Sequence, residues 1–175
     1  MKKIIVSLVI IAAIIYSCKT NSNSNDSKKL DITFESKSNS SVTGTASFIE
    51  KNGKVTFEAK LSGLKPGSHA IHIHEKSDCS AADGSSAGGH WNPTFKKHGK
   101  LGEGEAHKGD IGNFTADEKG NGTITFTTKE WSIGSEDETK NILGKGLIVH
   151  QGADDYVSQP AGNAGARVAC SAIIK

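Results

Sequence analysis

With 175 residues, 21 of them basic and 19 acidic, the chain has room for one domain with a substantial core and not for two. Lys2 and Lys3 belong to an N-terminal segment that reads as removable, and without residues 1–17 the remaining 19 basic residues balance the 19 acidic ones. That balance argues against a nucleic-acid binder, which concentrates excess positive charge.

The chain opens with Met1, Lys2 and Lys3, followed by an apolar run from Ile4 to Tyr16. The run is shorter than the roughly 20 residues that span a bilayer and suits the apolar region of a secretion signal. It leads into IYSC, which resembles a bacterial lipobox, with Tyr16 bulkier than that pattern favours. Residues 1–17 are therefore read as a lipoprotein-type signal peptide and Cys18 as the lipidated residue, the alternative being a short uncleaved anchor. Residues 18–29, CKTNSNSNDSKK, offer little to bury and read as a lipidated cysteine and flexible tether. The eleven residues after Cys18, Lys19–Lys29, have a typical end-to-end distance of roughly 17 to 20 Å, enough to hold a domain clear of lipid headgroups. The expectation is a protein exported and lipid-anchored to a bacterial cell membrane, with its domain, residues 30–175, facing the periplasm or the cell exterior.

Only three cysteines are present. With Cys18 lipidated, Cys79 and Cys170 remain as a pair in an oxidising compartment, which favours a disulfide over two buried thiols. Closing a loop of about 90 residues stabilises a fold by roughly 4 to 5 kcal/mol in the chain-entropy model.

From Leu30 onward the pattern has period two. Leu30, Ile32 and Phe34 alternate with Asp31, Thr33 and Glu35, and Val55, Phe57 and Ala59 with Thr56, Glu58 and Lys60. Val42–Glu50, Gly122–Thr128, Lys145–His150 and Arg167–Ile174 read as further half-buried strands, with KNG at 51–53 and EKGNG at 118–122 as turns. No long helical pattern competes, so the architecture is all-β. Two stretches do not alternate, 79–109 and 151–166. A loop of thirty residues in a compact domain needs something to order it, and a metal would do so.

The segment SHAIHIHEK, Ser68–Lys76, suggests which residues would hold one. As a strand it puts Ile71, Ile73 and His69 on the core face and His72 and His74 on the other, an i, i+2 pair able to chelate. Four more histidines lie at His90, His98, His107 and His150, with Asp110 three residues after His107. One exposed histidine is ordinarily just solvated; six with an aspartate, several in a loop that needs ordering, point to a metal centre.

In order along the chain, HIHE, HWNP, HKGDIGN, VHQGADD and GNAGARVAC resemble the motifs of the copper/zinc superoxide dismutases, and the resemblance covers about Leu30 to Lys175. It implies an eight-stranded antiparallel Greek-key β-barrel or sandwich with long metal-binding and active-site loops. It implies copper on His72, His74, His90 and His150, and zinc on His90, His98, His107 and Asp110, with His90 bridging. Asp154 would link the free nitrogens of His72 and His98, Arg167 would guide the anion, and a Cys79–Cys170 bridge would fix the arginine's strand against the loop leading to His90. His69 is left as a core-side residue and Trp91 as packing. The implied reaction is dismutation of superoxide to oxygen and hydrogen peroxide, with His90 placed to give a proton to the departing peroxide. Lys96, Lys97, Lys100 and Lys108 flank the zinc-loop ligands as candidates for steering. Between Asp154 and Arg167 the chain is shorter than in eukaryotic members and has no lysine, and Ala161 stands where those members often have threonine. A copper or zinc carrier would need the ligands but not Arg167, and an adhesion sandwich would leave the histidines unexplained. A homodimer is admitted and not required, since its contact would be ordinary apolar surface.

Overall fold

The computed structural model describes residues 27–175, so the signal segment, Cys18 and most of the tether lie outside the described residues. Eight strands follow in order: β1 Lys28–Ser36, β2 Thr43–Lys51, β3 Lys54–Ser62, β4 Gly67–His74, β5 Gly112–Ala116, β6 Gly122–Thr128, β7 Lys145–His150 and β8 Arg167–Ile173. They close into an antiparallel barrel in the spatial order β1-β2-β3-β6-β5-β4-β7-β8. Two crossovers, from β3 to β4 and from β6 to β7, interrupt the hairpins and make the topology a Greek key.

Side-chain parity follows the apolar alternation. Leu30, Ile32 and Phe34 of β1, Phe48 of β2, and Val55, Phe57, Ala59 and Leu61 of β3 are all buried inside the barrel. Phe48 faces Phe57 across the ladder with ring centroids 5.0 Å apart. Trp131, on the β6–β7 connection, packs against both at 6.2 and 6.3 Å, and its indole N–H donates to the Lys108 carbonyl at 2.7 Å. This indole therefore ties the long β4–β5 connection to the core.

β4, β7 and β8 are buried on both faces. Ile71, Ile73, Leu147, Val149, Ala169 and Ile173 face the barrel core, while Ile148 and Cys170 join Ala87 and Cys79 in a smaller outer cluster. The covers are the two connections that lack alternation, residues 75–111 and 151–166. The first is pinned by the Cys79–Cys170 disulfide, with Cα atoms 5.8 Å apart, and contains a short 3-10 turn at Ser85–Ala87.

Two elements differ from the sequence reading. β5 gives no alternation signal because Phe114 is its only large apolar residue. Its Gly112 has φ +120°, and a Cβ there would press on the Tyr156 hydroxyl, so close approach replaces hydrophobicity as the determinant. β1 starts at Lys28, inside the span assigned to the tether: Lys28 and Lys29 pair with Glu50 and Ile49, and the Lys28 ammonium donates to the Ile133 carbonyl at 2.8 Å. The ladder around the barrel is uneven. β5 meets β6 at the single pair Ala116–Gly122, and β1 meets β8 at two, Glu35–Cys170 and Ser36–Ala169.

Candidate metal centre

On the outer face of β4, His72 and His74 stand opposite the core-facing Ile71 and Ile73, as parity requires. A bridge between His74 and His90 brings the β4–β5 connection back against the end of that strand. His150 ends β7 at a bulge, where it is paired with Arg167 at the start of β8. The bulge re-aims both side chains toward the same space. His98, His107 and Asp110 follow on the β4–β5 connection.

The rings gather in two groups that share His90: His72, His74, His90 and His150, and His90, His98, His107 and Asp110. Within each group the donor atoms lie within 4.8 Å of one another, and all seven residues are buried. Among the described residues, six buried ring nitrogens have no hydrogen-bond partner: Nδ1 of His72, His98 and His107, and Nε2 of His74, His90 and His150. Unpaired buried polar atoms are rare and costly, and six converging ones describe a cation site. In the second group Nδ1 of His98 and of His107 come within 3.1 and 3.2 Å of the Asp110 carboxylate without hydrogen-bond alignment.

The opposite edges of several of these rings are occupied. His72 Nε2 lies 2.8 Å from Asp154 Oδ2 and His98 Nε2 lies 2.9 Å from Asp154 Oδ1, so one carboxylate links the two groups. His74 Nδ1 bonds the Gly88 carbonyl at 2.9 Å, whereas His90 Nδ1 lies 2.8 Å from Oδ1 of Asp110, a member of its own second group, so the two nitrogens of this ring face one group each. Partners of this kind fix which nitrogen is free to ligate. Asp110 is held in turn by the backbone N–H groups of Gly99 and His107 at 3.0 and 2.8 Å.

Electrostatics put His74, His90, His150 and the two aspartates in ligating form. Burial, reinforced by neighbouring imidazoles, pushes His90 down to about 4 and His150 to about 3, and it lowers His74 well below 6.5. For Asp110 and Asp154 burial works in the opposite sense. Hydrogen bonds from the His107 and Gly99 backbone N–H groups and from the His90 ring on Asp110, and from His72 and His98 on Asp154, outweigh it and hold both carboxyls below the usual range. Neutral imidazoles and ionised carboxylates are the protonation states a metal ion requires.

A cavity of about 550 Å³ opens onto His74, His90, His107 and His150. Arg167 lines it, donating to the carbonyls of Gly84 and Gly88, both at 2.7 Å. Burial lowers the guanidinium's pKa below the ordinary arginine value and leaves it cationic at neutral pH. Lys96, Lys97, Lys100 and Lys108 do not line this cavity. Lys100 pairs with Glu103 and Lys108 with Glu130, so these lysines belong to the outer face of the loop. Trp91 is buried in the barrel core, as a packing residue should be.

Several residues escaped the sequence reading. Asn113 of HKGDIGN accepts from the Asp154 N–H and donates to the Asp154 carbonyl, both at 2.8 Å. Gln159 accepts from the His98 N–H at 2.8 Å and donates to the His98 carbonyl at 3.0 Å. Gly162, with φ +68°, leaves the gap in which Asp154 meets His98. His69 is core-side as parity predicts, yet its ring nitrogens lie 2.9 Å from the His150 carbonyl and 2.8 Å from the Lys65 carbonyl. It therefore touches the backbone of a candidate ligand, a contact that parity alone does not reveal.

Residues 42–173 match the family described as copper/zinc superoxide dismutase (SODC). Superoxide dismutase (Cu-Zn) 2 of Aquifex aeolicus (strain VF5) is 40% identical over 135 residues, 75% of this chain and 79% of the relative. Superoxide dismutase (Cu-Zn) 1 of the same organism is 39% identical over 133 residues, 74% and 79% respectively. The crystal structure of the clock protein EA4 superimposes with a TM-score of 0.73 at 32% identity, covering 82% of this chain and 92% of that one. The chain belongs to the copper/zinc superoxide dismutase family, enzymes that dismute superoxide with copper and zinc as cofactors.

Proposed function

We propose that His72, His74, His90 and His150 hold the copper and that His90, His98, His107 and Asp110 hold the zinc, with the His90 ring between them. The observation that carries this reading is the set of six partnerless buried nitrogens, divided into two groups by one shared ring. Four imidazoles suit Cu(II), and three imidazoles with one carboxylate suit tetrahedral zinc.

The reaction converts two superoxide anions and two protons to oxygen and hydrogen peroxide. Bound copper would supply the one-electron exchange, and zinc would help keep the shared imidazole deprotonated. Arg167 supplies the cation that draws the anion into the cavity, and its two carbonyl partners hold its plane fixed. His90 lines the same cavity, with Nδ1 turned to Asp110 within the second group and Nε2 turned to the first, so Nε2 is where this chain can hold a proton for the product. Encounter should limit the rate of so small a charged substrate, a generalisation drawn in part from superoxide dismutases themselves.

The test is superoxide decay measured on the copper- and zinc-loaded protein beside His150→Ala. The variant is expected to lose copper and activity and to keep zinc. Stoichiometric metal binding with wild type no faster than the variant would instead mark a metal carrier.

The same reading extends to location. The signal-like segment with Cys18 at its end and the Cys79–Cys170 disulfide support an exported, lipid-anchored protein acting against superoxide outside the cytoplasm. Cys18→Ser should move the protein from the membrane fraction to the soluble exported fraction; unchanged membrane retention would refute lipidation.

A further inference from the structure

Lys37, immediately after β1, is a buried cation that the chemistry above does not use: its relative exposure is 9%. Its ammonium donates to the Cys79 carbonyl at 2.5 Å and pairs with Glu35 at 3.2 Å. The ion pair does not account for the burial. On the same barrel Lys29–Asp31 and Lys60–Glu58 are closer pairs, yet their lysines stay 58% and 70% exposed. Lysine is rarely buried, and an exposed ion pair contributes little, so the carbonyl is the partner that justifies the arrangement.

The surrounding contacts give it a purpose. Lys37 N–H donates to the Val168 carbonyl, next to Arg167, and Ser38 N–H donates to the Ala82 carbonyl in the disulfide loop. The β1–β2 turn thus fastens that loop to the strand that bears the arginine. Gly84 lies where a Cβ would touch the stems of both Arg167 and Lys37. The same loop offers the Gly84 and Gly88 carbonyls to Arg167, and Gly88 also receives His74.

We propose that Lys37 is a positioning residue: by holding the Cys79 carbonyl it fixes the disulfide loop whose Gly84 and Gly88 carbonyls aim Arg167 into the cavity. The disulfide anchors Cys79 through its side chain, and Lys37 anchors the same residue through its backbone. This deepens the reading of Arg167 given above and rests on it.

The test uses the full chain loaded with copper and zinc, with azide as a small anionic probe titrated by visible absorption. Alongside it runs the rate at which a thiol reduces the Cys79–Cys170 bond in the metal-free protein. Lys37→Met should keep both metals, lose roughly tenfold in azide affinity and in kcat/KM, and undergo disulfide reduction roughly tenfold faster. Lys37→Arg should recover most of each loss, and Glu35→Gln should match wild type. Wild-type azide affinity in a folded Lys37→Met overturns the proposal, as does an equal loss in Glu35→Gln, which would assign the effect to the ion pair. If Lys37→Met does not fold, Lys37→Gln, which keeps a donor without the charge, decides by the same readouts. Arg167→Ala separates the two levels: if it binds azide as wild type does, the reading of Arg167 fails; if it weakens azide and Lys37→Met does not, only the role of Lys37 fails.

Discussion

Gly162 lies so close to Asp154 that a Cβ on the glycine would overlap the carboxylate at the point where it meets His98. A side chain at 162 therefore cannot coexist with the bond that links the two groups of ligands, and its positive φ adds strain to any replacement. Gly162→Ala is expected to weaken zinc binding by about 10- to 100-fold, the usual cost of losing a partner that orients a ligand. Competition with a zinc chelator measures it; wild-type zinc retention would show that the loop yields without disturbing Asp154.

Arg167→Ala should lower kcat/KM by roughly tenfold or more, and the remaining rate should depend less on ionic strength. The reason is local: among the described residues, no other arginine or lysine lines the cavity. Both metals should stay bound, since no candidate ligand bonds the guanidinium directly. Metal analysis with rates across a salt series checks it, and loss of zinc would mean that the arginine is structural.

His69→Ala removes a buried ring from between two carbonyls and should destabilise the metal-free fold by about 2 to 4 kcal/mol through the cavity and the lost hydrogen bonds. Because one of those carbonyls belongs to His150, copper affinity should fall as well. Thermal unfolding with and without copper separates the effects. An equal loss of stability in both forms would confine His69 to packing.

Acid should destabilise the metal-free protein. In the unfolded chain the histidines take up protons as pH falls through 6.5, whereas in the fold His90 resists to about 4 and His150 to about 3. The unfolded state then binds more protons, so stability is fully present above pH 6.5 and declines as pH falls between these limits. The depressed Asp110 and Asp154 act in the same sense at lower pH. Unfolding midpoints that stay flat from pH 7 to 5 would contradict the burial assigned to these rings.

Much of this molecule was legible in the chain because alternation reports directly on which side of a strand is buried. Parity separates His69 from His72 and His74 in the sequence alone, and seven of the eight strands carry the signal. β5 did not, because its inward positions are Gly112, Phe114 and Ala116, and a pattern needs bulk to be seen. Ligands were legible because few residue types bind metals. Lys37, Asn113 and Gln159 were not, because their roles depend on contacts with backbone groups 41 to 61 positions away. A polar residue in a turn or loop looks the same in sequence whether it reaches such a partner or water.

The two thin places in the ladder divide the barrel into two four-stranded halves, β1-β2-β3-β6 and β5-β4-β7-β8. Every candidate ligand lies on the second half or on its covering loops, and the first half is joined to it along the ladder by three residue pairs. Local opening need not be shared across such joints. Amide exchange should accordingly separate into two populations when metal is added, with slowing concentrated in β4, β7 and β8 and little change in β2 and β3. The half that carries no ligand would then be a support whose own opening energy is set by its aromatic core, independent of the metals.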